Sequence, residues 1–217
     1  MFKTLKGHED LQDGIIVVSE SKNASALPFI IHYLGVGVEL NKKTVIVTSK
    51  LSELNYRLIC SKAGVRWNAN QTIVVQMIEP SYSFDIDVST ILNDLSKKIL
   101  VQDPDMVVFD DLSSIDNLGA KSATIIEFVH KVYSELKKKH ESVTILSAIS
   151  SASDAVEFLK SRCHTHIELI PVGHGFGKDA NSKAIISSKK PSCTHSIRQM
   201  LISGERINNA VWIASQK

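Results

Sequence analysis

Cysteine is scarce in this chain, with only Cys60, Cys163 and Cys193 among 217 residues and no CxxC pair. That excludes a disulfide framework and a zinc ribbon, and the three are read as reduced thiols. No stretch approaches the roughly 20 uninterrupted apolar residues needed to cross a bilayer. The opening MFKTLKGHED lacks the apolar centre of a secretory signal, so the expectation is an intracellular protein away from membranes. An excess of charge of one sign is also missing: 25 Lys and Arg face 23 Asp and Glu, a formal net charge of +2. A strongly basic nucleic-acid binder is thereby excluded, while a local basic patch stays open. Internal repeats, low-complexity tracts and linkers are absent as well. With 43% hydrophobic residues, the expected organisation is one globular domain over residues 1–217 with a core of its own.

What is present is an alternation. Strand-like runs rich in β-branched residues, Gly14–Ser19, Lys43–Ser49, Thr72–Gln76, Met106–Asp111 and Val143–Ile149, are separated by helix-like runs. Such runs read as strands buried on both faces of a mostly parallel sheet. Between them, Leu27, Ile30, Ile31, Leu34 and Val38 recur at helical spacing, as do Val88, Ile91, Leu92, Leu95 and Ile99, and then Ile125, Phe128, Val129, Val132 and Leu136. Pro28 suits the first turn of its helix, Gly64 the end of the helix begun near Ser52, and Lys137 to Lys139 a helix terminus where positive charge meets the dipole. Past residue 163 the pattern shortens to HTHIELI, KAIISS, HSIRQMLIS and NNAVWIAS, with turn signals between them, which predicts hairpins that extend the sheet antiparallel.

Between the first strand and first helix, GIIVVSESKNASALPF occupies the place of a phosphate-binding G-x-x-x-x-G-K-[ST] loop. All four signature positions are changed: Ser19 stands at the first glycine, Ala24 at the second, Ser25 at the lysine and Ala26 at the hydroxyl residue. The glycines let backbone amides wrap the phosphates, the lysine neutralises them, and the hydroxyl holds magnesium. The loop is read as vacant, the lost charge being its largest deficit. Lys22, inside the variable part, could swing inward but does not start the helix. A second relic is the apolar strand ending in Asp110 and Asp111, the pattern by which a Walker B strand delivers a carboxylate to a metal-bound water. The alternative is a strand end whose acids cap the following loop.

The segment MVVFDDLSSIDNLGAKSATIIEFVHKVY resembles the Walker-B-like strand, loop and helix of the Elongator complex protein 6 family. GHGFGKDANSKAIISSKKP is similar to that family's Gly-Phe-x-Lys-Asp-Val-x-Gly hairpin; Gly175, Phe176, Lys178 and Asp179 match, while Ala180 and Ser182 replace the Val and Gly. The resemblance implies a RecA-like three-layer α/β fold without a phosphate loop, no catalytic residue, no cofactor and no metal. It further implies a place in a hetero-hexameric ring beside the fourth and fifth Elongator subunits, contact with the remaining subunits, tRNA binding by the assembled ring, and support of wobble-uridine modification in cytoplasm and nucleus. Lys178 would then be an interface residue or a basic finger reaching a neighbour's phosphates; the alternative is that it pairs with Asp179 or points to water on a structural hairpin turn. Two alternatives stay open: an accessory RecA-like paralogue of a DNA-repair assembly, and an NTPase with an altered phosphate loop.

Other candidates are weaker. Cys163-His164-Thr165-His166 offers metal-ligating types, but the two histidines share one face of a strand and no second cluster completes four ligands. Lys42-Lys43, Lys189-Lys190 and Lys137 to Lys139 read as solvated surface unless an assembled ring aligns them. Trp67 and Trp212 read as core or interface anchors, since no basic-aromatic interleaving surrounds them. A GxSxG elbow and a cysteine with a helper base are both missing.

Overall fold

The computed structural model describes residues 13–79, 82, 86–172, 182–189 and 195–202, with strand geometry only for the last group. In chain order the elements are β1 (Gly14–Glu20), α1 (Leu27–Glu39), β2 (Thr44–Thr48), α2 (Glu53–Lys62), β3 (Thr72–Gln76), α3 (Val88–Gln102) and β4 (Met106–Phe109). They continue with α4 (Ser113–Asn117), α5 (Ser122–Lys137), β5 (Thr144–Ser150), α6 (Ala155–Arg162), β6 (Thr165–Pro171), β7 (Ser182–Lys189) and β8 (His195–Ile202). The strands form one sheet in the order β3-β2-β4-β5-β1-β6-β7-β8. From β3 to β6 every pairing is parallel, and β7 and β8 are added antiparallel.

Strand side chains alternate between faces, and here both faces are covered. Ile16, Val18, Ile46, Val108 and Leu146 pack with α1 and α2. Ile15, Val17, Val45, Val107 and Ile145 pack with α3, α5 and α6 on the other side. That is why β1, β2 and β4 are continuous apolar runs. The result is a three-layer RecA-like α/β fold in which β5 separates β1 from the Asp110-bearing β4.

Helix α1 is buried beyond the predicted stripe: Phe29 and Tyr33 are as enclosed as Ile30 and Ile31, because the helix crosses the middle of the sheet. α3 and α5 bury the faces expected of them. Ser52 caps α2 by accepting the Asn55 amide at 3.3 Å. The sequence pattern did not reveal α6. It carries the chain from β5 to β6, so HTHIELI enters the sheet parallel to β1, and only the two later strands make the predicted antiparallel extension. His164 lies just before β6 and does not share a strand face with His166.

Gly14 opens β1 with φ +92°, and a Cβ there would stand 2.6 Å from Cγ of His164. Both the backbone conformation and the close approach require glycine.

Candidate functional site at the carboxyl ends of the strands

The connection leaving β1 crosses one face of the sheet toward β2, and the one leaving β5 crosses the other face toward β6. Oppositely directed connections leave a crevice at the carboxyl ends of the strands, the general ligand position of open α/β sheets. Four of the sequence-predicted positions, Ser19, Ala24, Ser25 and Ala26, lie along its β1–α1 side, and Asp110 and Asp111 lie at the end of β4.

The β1–α1 loop is short and closed upon itself. Ser21 carbonyl accepts the Ala24 amide at 2.9 Å, and Asn23 takes the left-handed conformation at φ 70° that this turn requires. Ser19 points away from the loop: its hydroxyl is 2.9 Å from Nε2 of His166, and both residues are buried. Burial pushes the His166 imidazole down to about 4. Ser25, at the lysine position, is exposed and accepts the Leu27 amide at 3.2 Å. Lys22 is exposed on the turn.

The decisive contact is one that the sequence pattern did not flag. Glu20, the last residue of β1, turns its carboxylate onto the start of α1 and accepts the Ala26 amide at 2.5 Å. Ala26 is the residue at the hydroxyl position of the phosphate loop, and its N–H is among those that would face a phosphate. A carboxylate at a helix N-terminus gains from the same unpaired amides and dipole. Glu20 thus sets the chain's own anion on a helix-start amide of the kind that a phosphate would engage.

Lys50, just after β2, completes the arrangement. Its ammonium lies 3.3 Å from Glu20 and 3.4 Å from Asp111. Burial opposes its charge, but attraction to Glu20 and Asp111 outweighs burial and holds the ammonium above the ordinary lysine range. Asp111 also accepts the Ser113 amide at 3.0 Å and the Ser114 hydroxyl at 3.3 Å, and so caps the loop into α4.

Asp110 is buried and fully engaged. It accepts the Ser49 amide at 2.9 Å on one oxygen, and the Tyr56 hydroxyl at 2.9 Å together with the Thr48 hydroxyl on the other. Burial and the neighbouring Asp110 charge push the Tyr56 phenol upward, keeping it a neutral donor. Of the two acids only Asp111 caps the following loop; Asp110 is instead spent on Thr48, Ser49 and Tyr56 of the neighbouring β2–α2 segment.

Chemically, this site offers an incoming phosphate little. Its helix-start amide and its cation are taken, and a phosphate beside Glu20 would meet a like charge. At about 4 Å such a pair repels by about 1–4 kcal/mol at surface-like screening, more than the roughly 1 kcal/mol a neutral hydrogen bond returns. Glu20 escaped sequence reasoning because the phosphate-loop pattern treats its position as variable, and Lys50 because it lies beyond that pattern, after β2. The available signal was an acid ending an otherwise apolar strand directly before the loop.

The remaining candidates are dispersed. Nδ1 of His164 accepts the Ile15 amide at 2.9 Å, so His164 and His166 serve separate hydrogen bonds, and no metal-holding cluster occurs among the described residues. Lys42-Lys43 and Lys137 to Lys139 do come together, at the opposite end of the strands. There Lys137 pairs with Asp13, Lys138 with Glu135 and Lys139 with Asp103 at 2.7–3.3 Å, so interleaved acids offset the basic run. Cys60 and Cys163 are buried free thiols, both pushed up to about 11 by burial. Gly175, Phe176, Lys178 and Asp179 lie between β6 and β7, outside the described residues; Lys190, Cys193 and Trp212, which follow β7 in the chain, are outside them too. No helix among the described residues is long and apolar enough to cross a membrane.

The fold is thus RecA-like, with the Glu20 carboxylate bonded to the Ala26 amide at the start of α1. No protein-family model and no curated protein matches the chain.

Proposed function

We propose that this chain is a non-catalytic RecA-like subunit, retained for its surfaces and not for nucleotide turnover. The observation that carries this reading is the Glu20 carboxylate on the Ala26 amide, held in place by Lys50. A RecA-like domain that occupies its own phosphate position has no use for ATP there, and what it retains is shape. The resemblance of the Asp110-Asp111 segment and of the Gly175–Asp179 segment to the Elongator complex protein 6 family supplies the assembly. In this reading the chain stands in a hetero-hexameric ring with the fourth and fifth Elongator subunits. Through that ring it supports tRNA binding and wobble-uridine modification, in cytoplasm and nucleus.

Two measurements test the reading at its two levels. Calorimetric titration of the full chain with ATP and magnesium is expected to give no binding heat, and micromolar binding abolished by Lys22→Ala would instead establish an altered phosphate loop. Purification from native extract is expected to recover the fourth and fifth Elongator subunits. Recovery of DNA-repair proteins in their place would move the chain to a repair assembly.

A further inference from the structure

Helix α2 spends little of its surface on the core. Of its ten residues only Tyr56 and Cys60 are buried, while Leu54 and Leu58, one turn apart on the outward face, are 63% and 53% exposed. A ten-residue helix is marginal alone, and leucine on its solvent face adds nothing to the fold. Beside these leucines lies an open groove of about 460 Å³, lined by Arg57, Ser61, Gly64, Val65, Arg66 and Trp67. Trp67 packs its ring partly against the core, but its indole Nε1 is buried with no hydrogen-bond partner among the described residues.

The charge around the groove is one-sided. Arg57, Lys62 and Arg66 are exposed, and the sole acid on α2, Glu53, is already 3.8 Å from Arg57. Guanidinium groups match carboxylates with paired hydrogen bonds. An apolar ridge flanked by arginines favours a protein over a nucleic acid, since a sugar-phosphate backbone would leave Leu54 and Leu58 against water or charge.

From this juxtaposition we propose that the outer face of α2 and the Trp67 groove form a docking surface for an acidic amphipathic helix of a partner protein. Its aliphatic side chains lie on Leu54 and Leu58, and its carboxylates reach Arg57 and Arg66. The surface is separate from the Glu20-filled crevice, and the proposal does not depend on which assembly the chain joins.

The test uses the full chain and a labelled synthetic amphipathic peptide with leucine at heptad a and d positions and glutamate elsewhere, followed by fluorescence anisotropy. Its twin with glutamine for glutamate and a labelled oligouridine serve as comparison probes. All variants alter exposed side chains, and circular dichroism checks that each is folded. The glutamate peptide is expected to bind saturably and more tightly than the glutamine twin. Affinity should fall at least about tenfold in Arg57→Glu/Arg66→Glu and in Leu54→Ser/Leu58→Ser, and stay unchanged in Val101→Ser, on the far side of the sheet. Absence of saturable binding up to ~1 mM, the weak end of specific association, overturns the proposal. So does equal affinity for the glutamine twin, an equal loss in Val101→Ser, or oligouridine binding lost in the arginine variant while the peptide fails to bind.

Discussion

The hydroxyl of Tyr56, on α2, donates to the carboxylate of Asp110, at the end of β4, across 2.9 Å in the buried interior. Thr48 and the Ser49 amide converge on the same carboxylate, so one acid ties together β2, α2 and β4. Removing it would leave the Tyr56 hydroxyl and the Ser49 amide without this acceptor, while Thr48 keeps its bonds with the Leu51 backbone. Asp110→Ala is therefore expected to destabilise the chain by about 3 kcal/mol, and Tyr56→Phe by about 1–2 kcal/mol, measured by urea unfolding at neutral pH. An acid kept for metal chemistry would behave in the opposite way, with its removal leaving stability unchanged or raised.

Glu20→Ala separates the two meanings of the filled phosphate position. Loss of a helix-start acceptor and of a partly exposed ion pair should cost about 1 kcal/mol. It also frees the Ala26 amide and releases Lys50 from one of its two carboxylates. Pyrophosphate is expected to raise the melting temperature of Glu20→Ala and to leave the parent chain unmoved in a thermal-shift titration. Equal protection of both would mean that Glu20 does not occupy the phosphate place.

Much of this architecture can be read from the sequence, and the part that cannot has physical causes. β1, β2, β4 and β5 are legible because strands buried on both faces leave largely apolar runs, as in TVIVT and MVVF, whereas β3, at the sheet edge, is only half-buried, against the expectation of burial on both faces, and is legible from its β-branched residues. α3 and α5 are legible because each buries one stripe. α6 is not, since only Ala155, Val156 and Leu159 of its eight residues are buried, too few to set a period. At the site, a missing lysine can be seen in a sequence, whereas Glu20 reaching over six residues to Ala26 can be seen only once the loop closes. Tyr56 and Asp110 are 54 residues apart, and nothing local in either segment announces the other.

Acid should weaken the fold through two buried histidines. Burial lowers both His32 and His166 to about 4 from an ordinary 6.5. Above pH 6.5 each is neutral folded or unfolded, and stability is complete. Between 6.5 and 4 the unfolded chain takes up protons that the folded chain refuses, so stability falls as pH falls, by up to about 3 kcal/mol for each. His166→Gln, which can still bond the Ser19 hydroxyl, is expected to reduce the loss between pH 7 and pH 5 by about 2 kcal/mol. An unchanged pH slope in that variant would show that His166 does not titrate in this window.

Gly14 carries two separable requirements, and a pair of substitutions measures each. Gly14→Ala must hold φ +92° with a side chain and place its Cβ 2.6 Å from Cγ of His164, within the β1 register that Ile15 keeps through its amide bond to His164. The backbone cost alone is about 1–3 kcal/mol, and the collision adds to it unless the imidazole moves. Moving it breaks the bond from the Ile15 amide, so the ring cannot yield freely. Gly14→Ala is expected to lose about 3–4 kcal/mol. His164→Ala alone should lose about 1–2 kcal/mol by orphaning that amide. In the double variant the collision is gone and only the backbone strain and the orphaned amide remain, so its loss should be smaller than the sum of the two by about 1 kcal/mol or more. Strict additivity in urea unfolding would show that the ring and the Cβ do not compete for space, leaving backbone conformation as the whole reason for glycine at the start of β1.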